Sequence, residues 1–562
     1  MLLELRLPIT DLRIDAVLVG SHPGTDTMAV VIVENKQWSR AHLVPYSELV
    51  SLSSKPGARS YVHPINQAWG YQQVLKGFVP LLRRTPVRFI ANLHNAGAET
   101  IEGISLTKVP GAELVNSPDR IHGRMFGGHQ REAFAEALRQ VLSDNQADEH
   151  AQELLSATVR STEPLMSAIA DGLGDRTIFP MLNEQREAYD YVRGLLRRSR
   201  ESQRKEVVLI VGEPGTGKSV VALELMRSLN TDGTNSVHAT GSQAFTRTLR
   251  KQISGTRAEE LAFAYFNDFT NAAGNSVEVL IADEAHRLRS HSKKTSQRPQ
   301  VVELIETARV PVFLLDDHQS VRSNEVGSVA LVHEAARNLG LEVHQIDLRH
   351  QFRCGGAPEY IEWIDRLLGL VDDRPPEPWA ALENFELRVA PNPLIMEDFL
   401  RHRFEEGFGA RISAGYCWPW NKPESGRLLN DIVIGDWKRP WNSSAKHHLG
   451  RVPPSFLWAT DPGGIDQVGC VYTAQGFEYD YAGVIFGNDL VWRNGRWRSD
   501  PRANRDNQID KGRGFDLTVR KIYRILATRG LKGAVFYSTD PETTRHFVEL
   551  GIPKVGAAGA RI

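Results

Sequence analysis

The stretch "VVLIVGEPGTGKSVVALELM", residues 207–226, sets the frame for the rest of the chain. An apolar, β-branched run leads into Gly-x-x-x-x-Gly-Lys-Ser, and apolar residues then return at helical spacing. A buried strand, a glycine-rich turn and a helix in that order form a phosphate loop. Its backbone N–H groups face phosphate oxygens at a helix N-terminus, where the helix dipole favours negative charge. Gly212, Glu213, Pro214, Gly215, Thr216 and Gly217 are the expected cradle, Lys218 reaches the β and γ oxygens, and Ser219 holds Mg²⁺.

About 65 residues further on, the apolar strand "VEVLIAD" ends in Asp283 and Glu284. After a phosphate loop, such a pair is expected to bind Mg²⁺ through Asp283 and to polarise the attacking water with Glu284. From Val207 onward strands and helices alternate through "VPVFLLDD", "LEVHQID", "FELRVA", "RISAGYCW", "VGCVYTAQ", "AGVIFG" and "GAVFYST", the pattern of open parallel sheets covered by helices. The expected fold class is α/β. Residues 178–345 form a first and 346–562 a second RecA-like domain, preceded by a strand-rich α/β unit over 1–105 and a helical connector over 106–177.

The 562 residues, 41% hydrophobic and 24% charged, belong to a soluble multidomain chain, and 67 Lys+Arg against 68 Asp+Glu leave no global charge that selects a partner. Local basic patches can still bind phosphate. Cys354, Cys417 and Cys470 are too far apart for a Cys-x-x-Cys zinc site or a disulfide framework. Charged residues interrupt the N-terminal apolar stretch, and no run of about 18 apolar residues occurs, so neither a signal peptide nor a membrane span is expected. A cytoplasmic location follows.

In the first unit, "RIDAVLVG" places Asp15 on one strand and "AVVIVENK" places Glu34 and Lys36 on the next. Residues two apart on a strand share a face, so Glu34 and Lys36 point one way and Asn35 the other. Two carboxylates and a lysine are what Mg²⁺- or Mn²⁺-dependent phosphodiester cleavage needs; alone, Glu-x-Lys is also an ordinary strand-surface ion pair. "HPINQAWGYQQVL" then sets Gln67 and Tyr71 on one helix face, with His63 ahead of them as a structural residue. "VWRNGRWRSDPRANR" interleaves Trp492 and Trp497 with Arg493, Arg496, Arg498, Arg502 and Arg505. It reads either as a path for a nucleic-acid strand or as a charged loop whose tryptophans pack on the domain. "RGLLRRSRESQRK" reads as a solvated helix face.

Two family resemblances gather these residues. "LLDDHQSVR", "RHQFRCGGAPEYIEWI", "RISAGYCWPW", "VYTAQGFEYDYAGVIFG" and "KIYRILATRGLKG" resemble the Schlafen-type (group 3) superfamily 1 helicase domain of bacterial proteins over 178–540. The resemblance implies ATPase activity and nucleic-acid binding. It makes Arg353 and Arg529 the arginines that reach the γ-phosphate, Gln319 its sensor, and Gln475, Gly476 and Glu478 the link from nucleotide to nucleic acid, while Gln185 reads adenine. About 40 residues separate "HATGSQ" from the Asp-Glu pair, too few for the large insertion of processive relatives, so translocation or remodelling is as well supported as unwinding.

Asp15, Glu34-x-Lys36 and Gln67-x-x-x-Tyr71, in that order, resemble the PD-(D/E)XK nuclease fold, in its RecB-like branch. That resemblance implies a restriction-endonuclease-like domain with Asp15 and Glu34 as metal ligands, Lys36 as the charge that orients attack, and Gln67 and Tyr71 in support. The fold commonly opens with a helix, whereas "LELRLP" starts a strand almost at Met1; either the start lies upstream or the domain works without that helix. The leading expectation is an ATP-dependent helicase or translocase fused to a metal-dependent nuclease that acts on DNA, in repair or antiviral defence. One alternative is a nucleic-acid-stimulated remodelling or sensing ATPase with an inactive nuclease-like module. Another is a nucleotide-gated signalling ATPase without nucleic-acid contact.

Overall fold

The computed structural model describes residues 1–7, 12–53, 55, 59–106, 121–157, 181, 183–213, 215–242, 246, 262–292, 298–316, 324–349, 357–371, 376–445, 447–475 and 477–556. Three main sheets organise them.

The first sheet runs Leu2–Arg6, Arg13–Ser21, Met28–Lys36, Val87–Leu93, Arg124–Gly127 in spatial order. Its first three strands are antiparallel and the last two run parallel to Met28–Lys36. The helix Pro64–Phe78 crosses one face, packing Tyr71 and Val74 into a core with Val17, Val30 and Ile32. On the other face Val31, Val33 and Ile90 meet Ala137 and Val141. The expected helical connector thus differs from the structure at one point, since Arg124–Gly127 is a strand of this sheet and Arg131–Arg139 a helix packed upon it. Four residues at a sheet edge, of which only Arg124 is exposed, are too short to register as an apolar alternation.

The second sheet is wholly parallel, in the order Phe263–Tyr265, Ser236–Thr240, Val277–Asp283, Ala308–Leu315, Val207–Gly212, Val343–Leu348. Its central strands are buried on both faces, which is why they read as continuous Val/Ile/Leu runs. The third sheet, also parallel, runs Glu386–Val389, Gly530–Ser538, Tyr479–Phe486, Ala410–Ala414, Val468–Gly469. One cluster of buried residues joins the two parallel sheets, with Val208, Ile210 and Val279 from the second and Val484, Phe486 and Phe536 from the third; Tyr360, Trp363 and Trp458 belong to the same cluster.

Inside the third sheet's domain, Tyr523 is fully buried, stacks on Phe486 with centroids 4.4 Å apart, donates its hydroxyl to Asp489 Oδ1 (2.6 Å) and accepts the Gly487 N–H (2.8 Å). Burial pushes the Asp489 carboxyl above its ordinary range, so this hydroxyl is an essential partner. Tyr523→Phe keeps the ring and removes both bonds; a loss of about 1–3 kcal/mol is expected, read as a lower denaturation midpoint.

Candidate functional site: a nucleotide cleft between two parallel sheets

The phosphate loop leaves the carboxyl end of Val207–Gly212, at the centre of the second sheet, and enters the helix Lys218–Thr231. Gly217 has φ +82°, and a Cβ there would lie 2.0 Å from Gln185 Nε2. Glycine is therefore required both by the left-handed turn and by the glutamine against it. Gln185 is buried and donates Nε2 to the Thr216 carbonyl (2.9 Å), which ties the preceding helix Asn183–Ser202 to the loop. Lys218 Nζ donates to the carbonyls of Gly212 (2.7 Å) and Glu213 (2.8 Å), so the lysine lies folded along the loop that phosphates would fill. Ser219 is half-buried beside it, and Gly215 adopts φ +93°.

At the end of the neighbouring strand, Asp283 is buried, accepts the Glu284 N–H on Oδ1 (2.8 Å) and faces His238 Nε2 at 3.4 Å. Glu284 takes the left-handed conformation, φ 55°, a strained state for a residue with a side chain and one that clusters at functional sites. Its Oε2 is 3.1 Å from His286 Nε2 and 3.5 Å from Arg287 Nε. Burial opposes ionisation, but His286, Arg287 and Lys218 outweigh it and hold this carboxyl well below its usual range. It stands ionised at neutral pH. The oxygen donors of Ser219 and Asp283 suit a hard cation such as Mg²⁺.

The second domain closes the cleft. Gln475 is buried with its Nε2 3.2 Å from His286 Nε2, and Arg524 reaches Glu213 of the loop at 3.8 Å while forming a two-pronged pair with Asp365. Arg529 is 1% exposed and donates Nε to the Ile525 carbonyl (2.9 Å) beside Tyr479. The structure thus brings together Gln185, Lys218, Asp283, Glu284 and Gln475, and places Arg524 beside the loop. Glu478 is half-buried nearby. Pro214, Gln319, Arg353 and Gly476 lie outside the described residues. His286 and Asp365 were not singled out from sequence; the one available signal was His286, two residues beyond Glu284 in "DEAH".

For the tryptophan–arginine segment, the structure favours the second of the two readings, tryptophans packed on the domain. It is a hairpin, Leu490–Arg493 with Arg496–Ser499, whose Trp497 is buried against Phe486 and whose Trp492 stacks on His546 at 3.8 Å. Arg493 is held by Asp540, while Arg496 and Arg498 are exposed. Both rings have a partner within the domain, and Trp497 is buried while Trp492 stays half-buried.

In the first sheet, the pairing of Ala16 with Val33 sets Asp15 beside Glu34. Glu34 is 1% exposed; Lys36 Nζ bonds its Oε1 at 2.5 Å, and its buried Oε2 has no hydrogen-bond partner among the described residues. Asp15 Oδ2 accepts the Asn35 N–H (2.7 Å), while the Asn35 side chain turns to Asn92. Gln67 Nε2 donates to the Tyr71 hydroxyl (2.6 Å) on the helix above this face. His63 caps that helix, accepting the Ile65 N–H on Nδ1 (3.1 Å) with Nε2 2.9 Å from the Ile104 carbonyl, and burial lowers its pKa to about 4. It is structural and neutral. Among the described residues no group of three or more His, Cys, Asp or Glu side chains forms a preformed metal cage. Cys417 and Cys470 are free thiols, and no described helix is long and apolar enough to cross a membrane.

Fold and cleft together define a phosphate-loop nucleotide hydrolase core made of two parallel sheets. The sequence profile of the Schlafen group 3, DNA/RNA helicase domain matches residues 205–540, well over half of the chain, and the chain belongs to that family. An uncharacterized protein of Saccharomyces cerevisiae (strain ATCC 204508 / S288c), YPL245W, is 23% identical over 298 residues, 47% of this chain and 63% of that protein. The chain thus spans under two thirds of the length of this curated relative. Similar solved structures include the Pif1 helicase from Candida albicans (12% identity, TM-score 0.27, covering 66% of this chain and 99% of that one). Another is the DUF1998 helicase MrfA bound to DNA (12% identity, TM-score 0.28, 70% and 55%).

Burial, reinforced by Asp15 and partly offset by Lys36, pushes the Glu34 carboxyl up to about 7. A carboxyl raised on folding costs no stability below its unfolded pKa, where both states are protonated; the cost grows as pH rises toward the folded value and is complete above it. Glu34→Gln removes that cost. Its melting temperature is expected to exceed that of the unsubstituted protein at pH 8 in chelator-treated buffer, with the gain vanishing near pH 4.5.

Proposed function

We propose that the chain is a nucleic-acid-stimulated ATPase that translocates along or remodels its substrate, with an N-terminal unit that cleaves phosphodiesters. The observation that carries the ATPase reading is the shared cleft: Gln475 and Arg524 of the second domain lie against His286 and Glu213 of the first. A nucleotide bound there changes how the two domains meet, which is the coupling a motor needs. Lys218 leaves the loop carbonyls for the β and γ oxygens, and the loop N–H groups orient the phosphates for in-line attack. Glu284, ionised and aimed by its strained backbone, accepts a proton from the attacking water. Asp283 and Ser219 would hold Mg²⁺, which supplies charge neutralisation on the phosphates. Arg524 stabilises charge developing toward the γ-phosphate, and Gln185 reads the adenine edge.

The N-terminal reading is supported by the convergence of Asp15, Glu34 and Lys36 on one strand face and by the unpartnered Oε2 of Glu34, an orphaned buried oxygen of the kind a divalent cation satisfies. Asp15 and Glu34 would hold Mg²⁺ or Mn²⁺, and Lys36 would orient water toward the scissile phosphate. The short Lys36–Glu34 contact favours a second reading, in which the pair is a closed ion pair and the unit binds nucleic acid without cutting it.

Lys218→Ala and Glu284→Gln should each reduce ATP turnover by at least about 100-fold, since each removes charge stabilisation or proton transfer from the chemical step. Retention of full turnover by either variant would refute the assignment. Labelled single- and double-stranded DNA and RNA, incubated with Mg²⁺ or Mn²⁺ and with or without ATP, should be cut by the unsubstituted protein and spared by Lys36→Ala, whose ATPase activity persists. No cleavage under any condition, with ATPase activity still stimulated by nucleic acid, selects the non-cutting reading.

A further inference from the structure

Arg287 is 6% exposed, yet its Nε and Nη2 have no hydrogen-bond partner among the described residues. Its carboxylate neighbour, Glu284, lies 3.5 Å from Nε, close enough for attraction and too far for a bond. A buried guanidinium with idle donors is costly unless an acceptor completes it.

Arg287 lines a cavity of about 190 Å³, together with Thr240, Gly241, Tyr265 and Arg289. Thr240 pairs with both Tyr265 and Asp283, so the cavity opens at the carboxyl ends of three adjacent parallel strands, where open α/β sheets bind ligands. Gly241 passes so close that a Cβ would lie 2.8 Å from Arg287 Cβ, which leaves the arginine stem clamped under the backbone. Two acids also line the cavity. Asp268 is already engaged, accepting the Tyr265 N–H at 2.8 Å, and Glu325 forms a backbone bridge with Arg289.

We infer that this cavity receives a backbone phosphodiester of the bound nucleic-acid strand, and that Arg287 is the positioning residue that transmits its arrival to Glu284. The inference rests on the nucleic-acid-stimulated ATPase reading above and deepens it. Without nucleic acid, Arg287 draws the Glu284 carboxylate toward itself. A phosphodiester offers the guanidinium the paired oxygens that its planar fork matches and that Glu284 does not provide. Arg287 then turns to the phosphate, and Glu284, kept ionised by His286, is released toward the attacking water. By linkage, nucleotide occupancy must alter nucleic-acid affinity through the same contact.

The test measures ATP turnover of the full chain with no addition, with oligo(dT), with oligo(U), and with inorganic phosphate at matched ionic strength; oligonucleotide affinity is measured across a salt series. In Arg287→Gln the ratio of stimulated to basal turnover should fall by about fivefold or more, and the slope of log affinity against log salt should lose about 0.7, the loss of one phosphate contact on a single strand. Arg287→Lys should recover part of the stimulation. Arg289→Gln, which lacks the contact to Glu284, should weaken binding yet reach normal stimulation at saturating oligonucleotide, and with Arg287→Lys it carries the test if Arg287→Gln does not fold. Unaltered stimulation and salt slope in Arg287→Gln would overturn the inference and leave the ATPase reading intact. Equal stimulation by inorganic phosphate would overturn the assignment to a nucleic-acid strand. An unsubstituted protein that no oligonucleotide stimulates would overturn the reading itself, and the inference with it.

Discussion

The Glu284 carboxylate is held between a histidine and an arginine. Glu284 sits in a left-handed turn at the end of a buried strand, with His286 at 3.1 Å and Arg287 at 3.5 Å. His286 in turn meets Gln475 from the other domain. Through these contacts one side chain is tied to the nucleotide loop, to the opposite domain and to the cavity at the strand ends. Removing His286 would take away one polar contact between the domains, leaving Arg524 against Glu213, and would leave the carboxylate to Arg287. The surrounding α/β architecture serves to hold this small cluster in register, which a buried parallel sheet does well because its strands cannot slide without exposing apolar faces.

The phosphate loop and the Asp-Glu strand were legible in sequence because their chemistry is contiguous. A buried strand, two glycines with positive φ and a helix beginning at Lys218 are all encoded within one twenty-residue window. Contacts made across the chain were not legible. Nothing adjacent to Arg524 announces Asp365, 159 positions away, and nothing near Arg493 announces Asp540, 47 positions away. The same ignorance of partners leaves the hairpin at Trp492 and Trp497 open to two readings. Interleaved rings and guanidinium groups suggest a stacking surface only while Phe486 and His546, which cover those rings, remain unknown.

In the N-terminal unit, alternation along Met28–Lys36 correctly set Glu34 and Lys36 on one face and Asn35 on the other. Strand periodicity could not reveal how dry that face is. The burial of Glu34 comes from the helix Pro64–Phe78 and the strand Val87–Leu93, both contributed from later in the chain. Its raised pKa is therefore a tertiary property, written in no local segment.

The apolar cluster that runs unbroken from the second sheet into the third has a mechanical consequence. Domains joined by a polar cleft alone can swing apart as separate bodies, whereas domains that share a core must keep that core closed throughout a cycle. Relative motion is then confined to sliding and slight rotation within that shared core, with displacements set by side-chain repacking. Heat should then melt the two halves together.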